Sequence, residues 1–298
     1  MNNKHWSKDF FKQSITSVFP LKSGGQHQTD LITLVDGSKW ICKKLDENFW
    51  LGIINPAQFA YTELVASQVA HQLGCTFSSR LLPTINSEYG TVTQRLIIPY
   101  CEGEVITTVT QGQAFLLGRL LAQLHSLKMP PGEATGFPPI ILPKKQPYPT
   151  WLEHLVERCN TFIDYEADSR VISHRDIHLH NIIWQNEKKP HLIDWESAGL
   201  IHPFVELVGL ATNCSGLATQ TFDQALFHAT LMGYADYKGK LPPTNDILWE
   251  MSLHSWLLWY AYSINRDWQE DARQTLETIK SINTKMVELQ RVYAAFKA

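Results

Sequence analysis

The sequence contains no long hydrophobic run. Its most apolar late stretch, Trp256 to Tyr262, is far shorter than the roughly 20 residues a membrane span requires. The first residues, MNNKHWSKDFFKQ, lack the apolar centre of a secretory leader, so a soluble cytoplasmic protein with no membrane partner is expected. The five cysteines, Cys42, Cys75, Cys101, Cys159 and Cys214, are odd in number, widely spaced and never in a CxxC pair. That pattern indicates neither a disulfide framework nor a zinc ribbon and suits a reducing compartment. There is no long basic run and the formal net charge is −3, which argues against a dedicated nucleic-acid binder. Glycine and proline are not in excess, so collagen-like and low-complexity chains are excluded. Neither an internal repeat nor a GxxxxGKS/T phosphate loop occurs.

What is present is a chain of 298 residues, 44% hydrophobic and 18% charged, long enough for two lobes or one large domain. Its ten tryptophans are unusual, and four of them, Trp249, Trp256, Trp259 and Trp268, crowd together near the C-terminus. Residues 31–35 and 40–45 read as strands around Asp36-Gly37, a strong hairpin signal. Residues 55–73 read as a helix, with Asn55 as N-cap, Pro56 at the first position and Gly74 as the stop. Residues 79–86 and 91–101 read as two further strands. After Gly103 the pattern changes. Leu117, Leu120, Leu121 and Leu124 mark an amphipathic helix over 113–127. Residues 129–149, rich in Pro and Lys, read as a loop, 150–168 as helical, and 204 onward as mostly helical. The expectation is an α+β protein, a β-rich lobe followed by a mainly helical one with a crevice between.

The segment 171–196, VISHRDIHLHNIIWQNEKKPHLIDWE, carries the chemistry. A short apolar run delivers His174-Arg175-Asp176, Asn181 follows five residues later, and a second run over 191–193 delivers Asp194. Phosphoryl transfer needs a carboxylate beside the attacking hydroxyl and hard oxygen ligands that hold Mg²⁺ on the phosphates. Asp176 suits the first role, and Asn181 with Asp194 the second. Two other readings of these residues are that Asp176 and Asp194 are turn residues and the histidines ordinary loop residues, or that His174, His178 and His180 bind zinc, although no Cys or HExxH accompanies them.

The pattern His174-x-Asp176-x-His178-x-x-Asn181, followed by Ile193-Asp194-Trp195-Glu196, resembles the aminoglycoside phosphotransferase/choline kinase family of small-molecule kinases. The likeness extends over roughly residues 18–265. It implies a bilobal protein-kinase-like fold, with an N-lobe of residues 1–102 and a C-lobe of residues 103–298. It also implies ATP and Mg²⁺ as cofactors and a small-molecule hydroxyl as acceptor. Asp-Trp-Glu in place of Asp-Phe-Gly, and the lack of an Ala-Pro-Glu segment, favour this branch over protein kinases. A protein kinase, and a kinase-like binding or regulatory protein without turnover, are the alternatives.

The resemblance assigns parts elsewhere. Gly24 and Gly25 fall where a glycine-containing hairpin covers the nucleotide. Ile41-Cys42-Lys43 matches the strand whose lysine meets the α- and β-phosphates; alternation puts Ile41 and Lys43 on one face, and Lys43 is preferred to Lys44. Glu63, on the apolar stripe formed by Phe59, Ala66, Ala70 and Leu73, is the expected carboxylate partner of Lys43, a solvated edge position being the other reading. Leu96 to Gly103 resembles the adenine-reading hinge, including Ile98, with the Pro99 carbonyl and the Cys101 N–H as its hydrogen-bonding groups; proline has only the carbonyl to offer. His178 sits near the γ-phosphate in this reading. Leu124-His125 resembles the family's Leu-His helix end, and Glu206 replaces an Asp that many relatives carry.

The acceptor is less defined. The family phosphorylates aminoglycosides, choline, ethanolamine, thiamine and related molecules. Glu250, Asp267, Glu270 and Asp271 suit a polycation, and Trp249, Trp256, Trp259, Tyr260, Tyr262 and Trp268 suit an ammonium cage. The spacing of Trp249, Trp256 and Tyr260 equally suits a core stripe. Asp-Trp-Glu resembles choline and thiamine kinases more than drug-modifying enzymes, which points to an amino alcohol or related cation.

Overall fold

A computed structural model describes residues 8–21, 28–44, 48–53, 56–85, 92–130 and 132–296. After a short helix α1 (Lys8–Phe11) come strands β1 (Ile15–Leu21), β2 (Gln28–Leu34) and β3 (Lys39–Lys44). A two-stranded ribbon of β4 (Asn48–Phe49) and β5 (Gly52–Ile53) leads into helix α2 (Pro56–Leu73), then β6 (Arg80–Ile85) and β7 (Val92–Pro99). Five of these strands form one antiparallel sheet in the order β1-β2-β3-β7-β6. The β2–β3 turn is the one its Asp-Gly pair demands. Gly37 has φ 83°, and the Asp36 carboxylate accepts from Ser38 N at 2.9 Å and Ser38 Oγ at 2.7 Å. Strand β1 was not expected. Pro20 obscures it, yet a proline is tolerated there because β1 is an edge strand.

Alternation along β3 splits its side chains. Cys42 is buried with Ile32, Leu34 and Ile97 in a small apolar cluster, against which Trp40 packs. Lys43 is buried on the opposite face, while Lys44 is exposed.

The rest of the chain holds β8 (Glu104–Val105), α3 (Gln111–Leu124), α4 (Thr150–Thr161), β9 (Val171–Ser173), β10 (Ile182–Asn186), β11 (Lys189–Leu192) and β12 (Gly199–Ile201). Helices α5 (Pro203–Cys214), α6 (Gln224–Lys238), α7 (Asp246–Met251), α8 (His254–Asn265) and α9 (Gln269–Ala294) complete it. Thr110 and Gln113 form a reciprocal capping box that starts α3, two residues earlier than its leucine pattern predicts. Helices α3 and α6 meet backbone to backbone: a methyl group on Gly118 would run into the Thr230 carbonyl, and one on Gly233 into that of Phe115. Helix α4 ends at Thr161 instead of continuing to 168, and a 3₁₀ turn over Ala167–Ser169 follows.

The large apolar core is built mainly from these later helices, with Leu117, Leu121, Phe204, Leu207, Phe227 and Leu257 deep within it. Helix α2 joins this core through Tyr61, Val65, Ala66 and Val69, not the small cluster of the sheet. Segment 129–149 has no helix or strand among its described residues and is nonetheless anchored at several points. Tyr61 OH donates to Pro130 O at 2.8 Å, Gln58 Nε2 to Thr135 Oγ1 at 3.0 Å, and Lys145 Nζ to Asp267 Oδ1 at 2.7 Å.

Candidate active site

Strand β9, paired with β12, ends at His174-Arg175-Asp176. Arg175 takes a left-handed backbone, φ 67°, and the surroundings hold it there. Its N–H donates to Glu206 Oε1 at 2.6 Å, and its buried guanidinium donates to the Ser197 carbonyl and, at 2.9 Å, to that of Thr135. The guanidinium also lies 5.2 Å over the Phe137 ring. Gly199 leaves it room, since a Cβ there would come 2.6 Å from Arg175 Cζ. Glu206 carries the support inward: His125 Nε2 donates to its Oε2 at 2.8 Å, and His125 Nδ1 lies 3.0 Å from the Tyr234 hydroxyl. Burial alone would raise Glu206, but the hydrogen bond and charge of His125 hold its pKa below the usual value. Glu206 thus fastens the His174-Arg175-Asp176 turn from helix α5.

Beyond Arg175, Asp176 faces Asn181. Asn181 Nδ2 donates to the Asp176 carbonyl at 2.9 Å and to its Oδ2 at 3.2 Å, which leaves the amide oxygen for another partner. His178 Nε2 is 3.7 Å from Asp176 Oδ1. Both side chains are open to solvent for about a third of their surface, 31% for Asp176 and 34% for His178. Desolvation, with the nearby charges of Asp194 and Glu196, pushes Asp176 up to about 7, against the pull of His174 and Asn181. Desolvation takes His178 down to about 4, so its ring is neutral at physiological pH. His180 is exposed, and no group of three or more His, Cys, Asp or Glu suited to a metal occurs among the described residues.

Strand β11 delivers the second half of the site. Ile193 N donates to the Asn181 carbonyl at 3.0 Å, and His174 Nε2 to the Ile193 carbonyl at 2.8 Å, so Asn181 and Asp194 are set relative to each other through the main chain. Asp194 is left-handed, φ 64°. Trp195 packs 4.6 Å from the His174 ring and donates Nε1–H to Thr76 Oγ1 at 2.9 Å. Leu192 N donates to the Cys75 carbonyl at 2.7 Å. The chain just after α2 is therefore bonded directly to the Asp194 loop.

Lys43 meets this loop. Its ammonium is 2.5 Å from Asp194 Oδ1 and 2.6 Å from Glu196 Oε1. Burial works against the charged form, but the two carboxylates prevail and leave its pKa above the ordinary range. This corrects the expected pairing with Glu63. Glu63 is buried on α2 and lies within electrostatic reach of Lys43, but no hydrogen bond or ion pair joins it to Lys43 among the described residues. Burial, and then the charge of Glu196, push Glu63 up to about 8, so it is mostly a neutral acid at pH 7. Sequence spacing named Glu196 as part of a motif without a task. A carboxylate two residues past Asp194, on a 3₁₀ turn beside a buried tryptophan, was the available signal.

The segment expected to be the hinge runs from the end of β7 into β8. Ile41 pairs with Ile98 and Trp40 with Pro99 across β3 and β7, and Tyr100 N donates to the Lys39 carbonyl at 3.0 Å. Cys101 is buried, and Lys39 and Glu102 pair at 2.8 Å. Gly103 has φ 148°, and a Cβ there would fall 2.5 Å from the Trp184 carbonyl, so only glycine fits where the chain crosses into β8. Gly24 and Gly25, like Asn55, lie outside the described residues. As a donor set, one amide oxygen and one carboxylate with 38% of its side chain exposed suit a small hard cation that keeps water and phosphate ligands.

The C-terminal tryptophans separate into two kinds. Trp249 is core, 4.9 Å from Phe204 and 5.7 Å from Tyr293. Trp259, Tyr262 and Trp268 form an aromatic group with centroids 5.6 to 6.1 Å apart, and Arg266 already lies 5.5 Å over Trp268 and 5.9 Å over Tyr262.

A two-lobed α+β chain with a carboxylate at the end of a left-handed His-Arg-Asp turn, and a lysine held to a nearby Asp-Trp-Glu turn, has the make-up of a kinase-like phosphotransferase. The chain belongs to the phosphotransferase enzyme family, whose profile matches residues 50–240. Among solved structures it is similar to the choline kinase LicA from Streptococcus pneumoniae, with 17% identity, 91% of this chain and 94% of that one covered, and a TM-score of 0.63. It is also similar to a Plasmodium vivax ethanolamine kinase, with 12% identity, 95% and 87% covered, and a TM-score of 0.61. A spectinomycin phosphotransferase solved with ADP and spectinomycin has 14% identity, 95% and 94% covered, and a TM-score of 0.60. At such identities the likeness is one of fold. No curated protein sequence matches the chain.

Proposed function

We propose that this protein is an ATP- and Mg²⁺-dependent kinase that moves the γ-phosphate to a hydroxyl of a small cationic molecule. The observation that carries the reading is the convergence of Asp176, Asn181, Asp194 and Lys43, drawn from β3, the β9–β10 loop and the end of β11, into one cluster that opens to solvent through Asp176 and Asp194. Asp176, with a pKa near 7, orients the acceptor hydroxyl and takes its proton as the oxygen attacks phosphorus and the bond to the departing diphosphate breaks. Neutral His178 offers one N–H to the transferring group. Asn181 and Asp194 would hold the divalent cation, which offsets phosphate charge when bound. Lys43 steadies the phosphates, Gly24 and Gly25 cover them, and Ile41, Ile98, Pro99 and Cys101 take the adenine. We place the boundary between the nucleotide lobe (1–102) and the catalytic lobe (103–298) at Gly103, supported by its close passage against Trp184.

The acceptor class rests on the likeness of Asp194-Trp195-Glu196 to choline and thiamine kinases. Three of the four carboxylates considered for a polycation are engaged within the chain, Glu250 with Arg158 and Asp267 with Lys145 at 2.7 Å each, and Glu270 with Arg273 at 2.7 Å. These pairs are exposed and each costs only about 0–1 kcal/mol to exchange, so an aminoglycoside stays in the test. The test is coupled ADP release over choline, ethanolamine, thiamine and aminoglycosides, with wild type and Asp176→Ala. Turnover on one class of acceptor, lost in Asp176→Ala with ADP binding retained, is expected. Normal turnover in that variant would refute the role of Asp176.

A further inference from the structure

The Lys43 ammonium has two carboxylate partners whose surroundings differ sharply. Glu196 shows 4% of its side chain to solvent, whereas Asp194 shows 38%. A buried carboxylate that lost its cation would be left charged without water, so the Lys43–Glu196 contact is the one the fold cannot release. The Asp194 contact opens to solvent, where water, a metal ion or phosphate can replace it at little cost. Asp194 is also the carboxylate that the donor set offers to a cation, and an ammonium 2.5 Å from its Oδ1 repels a divalent ion placed on the same oxygen.

We propose that Glu196, and not Glu63 on α2, is the positioning residue of Lys43, and that Lys43 occupies Asp194 only until nucleotide and its divalent cation arrive. This rests on the phosphotransfer reading above. On binding, Asp194 passes from Lys43 to the cation. The ammonium keeps its bond to Glu196 and turns its freed N–H donors to phosphate oxygens. Glu63, with no hydrogen bond to Lys43 among the described residues and mostly protonated near neutrality, is filler beside the pair and not its anchor. The anchor of the phosphate-binding lysine has thus moved from the helix to the loop that carries Asp194. Lysine and metal ligand are thereby set by one short turn, Asp194 to Ser197.

The experiment has three readouts. First, calorimetric titration with ADP in the absence of metal: Glu196→Gln should weaken binding at least tenfold and Glu196→Asp recover part of it, while Glu63→Gln changes it less than threefold. Second, Mn²⁺ binding without nucleotide, read by water-proton relaxation: Lys43→Met should bind Mn²⁺ at least fivefold more tightly than wild type, and adding Asp194→Asn should abolish the gain. Third, a double-mutant cycle in urea unfolding: Lys43→Met and Glu196→Gln should be strongly non-additive, and Lys43→Met and Glu63→Gln additive. A Glu63→Gln loss equal to that of Glu196→Gln, or no Mn²⁺ gain in Lys43→Met, overturns the proposal. Should Glu196→Gln alone fail to fold, the double variant with Lys43→Met, which removes both charges together, and Glu196→Asp carry the comparison. If wild type binds no ADP, the phosphotransfer reading fails. The unfolding cycle then decides the anchor, and additivity for Lys43 with Glu196 refutes it.

Discussion

His254 gives a quantitative test of how segment 129–149 is held against the helical body. Its side chain is fully buried at the start of α8, its Nε2–H donates to the Pro138 carbonyl at 2.9 Å, and its ring stacks on Phe137 at 5.5 Å and 13°. Desolvation takes its pKa down to about 4, although the Pro138 carbonyl favours the charged form. In the unfolded chain a histidine titrates near 6.5. Between pH 6.5 and 4 the unfolded state therefore binds a proton that the folded state refuses. The stability from the neutral ring is complete above pH 6.5 and drains away as pH falls toward 4. At pH 5 the loss is about 2 kcal/mol, from roughly 1.5 pKa units at about 1.4 kcal/mol each. His254→Gln keeps an N–H for Pro138 but cannot titrate. Urea unfolding of wild type and variant at pH 8 and pH 5 isolates the effect, because other titrating groups cancel in the difference. The variant is less stable at pH 8 through lost packing, and its further loss on going to pH 5 should be smaller than that of wild type by about 2 kcal/mol. A wild-type-minus-variant difference equal at both pH values would refute a buried neutral ring at this position.

Three further outcomes follow from the packing. Glu206→Ala leaves the Arg175 N–H and His125 Nε2–H without their acceptor, a cost of about 1–3 kcal/mol in thermal or urea unfolding. Because it loosens the turn that aims Asp176, it should lower kcat at least tenfold with KM for ATP nearly unchanged. Gly118→Ala drives a methyl group into the Thr230 carbonyl of α6 and should destabilise by about 1–3 kcal/mol, seen as a lower Tm. Trp249→Ala should cost about 3–5 kcal/mol, whereas Trp268→Ala, at a partly buried position under Arg266, should cost less; equal losses would erase the distinction between buried and partly buried tryptophans.

Local chemistry was the part of the structure legible in the sequence. Asp36-Gly37 specifies its turn through one carboxylate and one positive φ. Pro56 and the Gly74 stop bound α2, and the 174–181 and 193–196 spacings place Asp176, Asn181 and Asp194 together because main-chain bonds between Asn181 and Ile193 tie the two segments. The partner of Lys43 was not legible. It depends on how far α2 stands from the Asp194 loop, a tertiary distance that no periodicity encodes. Strand β12 was missed because three residues carry no alternation worth reading, and its role is to supply Gly199 beneath Arg175. The 7-and-4 spacing of Trp249, Trp256 and Tyr260 suggested one stripe, but α7 ends at Met251 and α8 begins at His254. The period is broken there, so Trp249 and Tyr260 are buried while Trp256 is only partly so. Segment 129–149 read as a loop and is one, yet its order comes from Tyr61, Gln58, Arg175 and His254, all remote in sequence.

The two bonds from the end of α2, Cys75 carbonyl to Leu192 N–H and Thr76 hydroxyl to Trp195 indole, tie the helix to the Asp194 loop. With Tyr61, Val65 and Val69 sunk into the helical core, they make α2 part of the frame and not of the door. The carboxylates stay on the frame, while Lys43 rides on the sheet. The contacts of one ammonium with Asp194 and Glu196 are therefore a tie between the five-stranded sheet and the helical body.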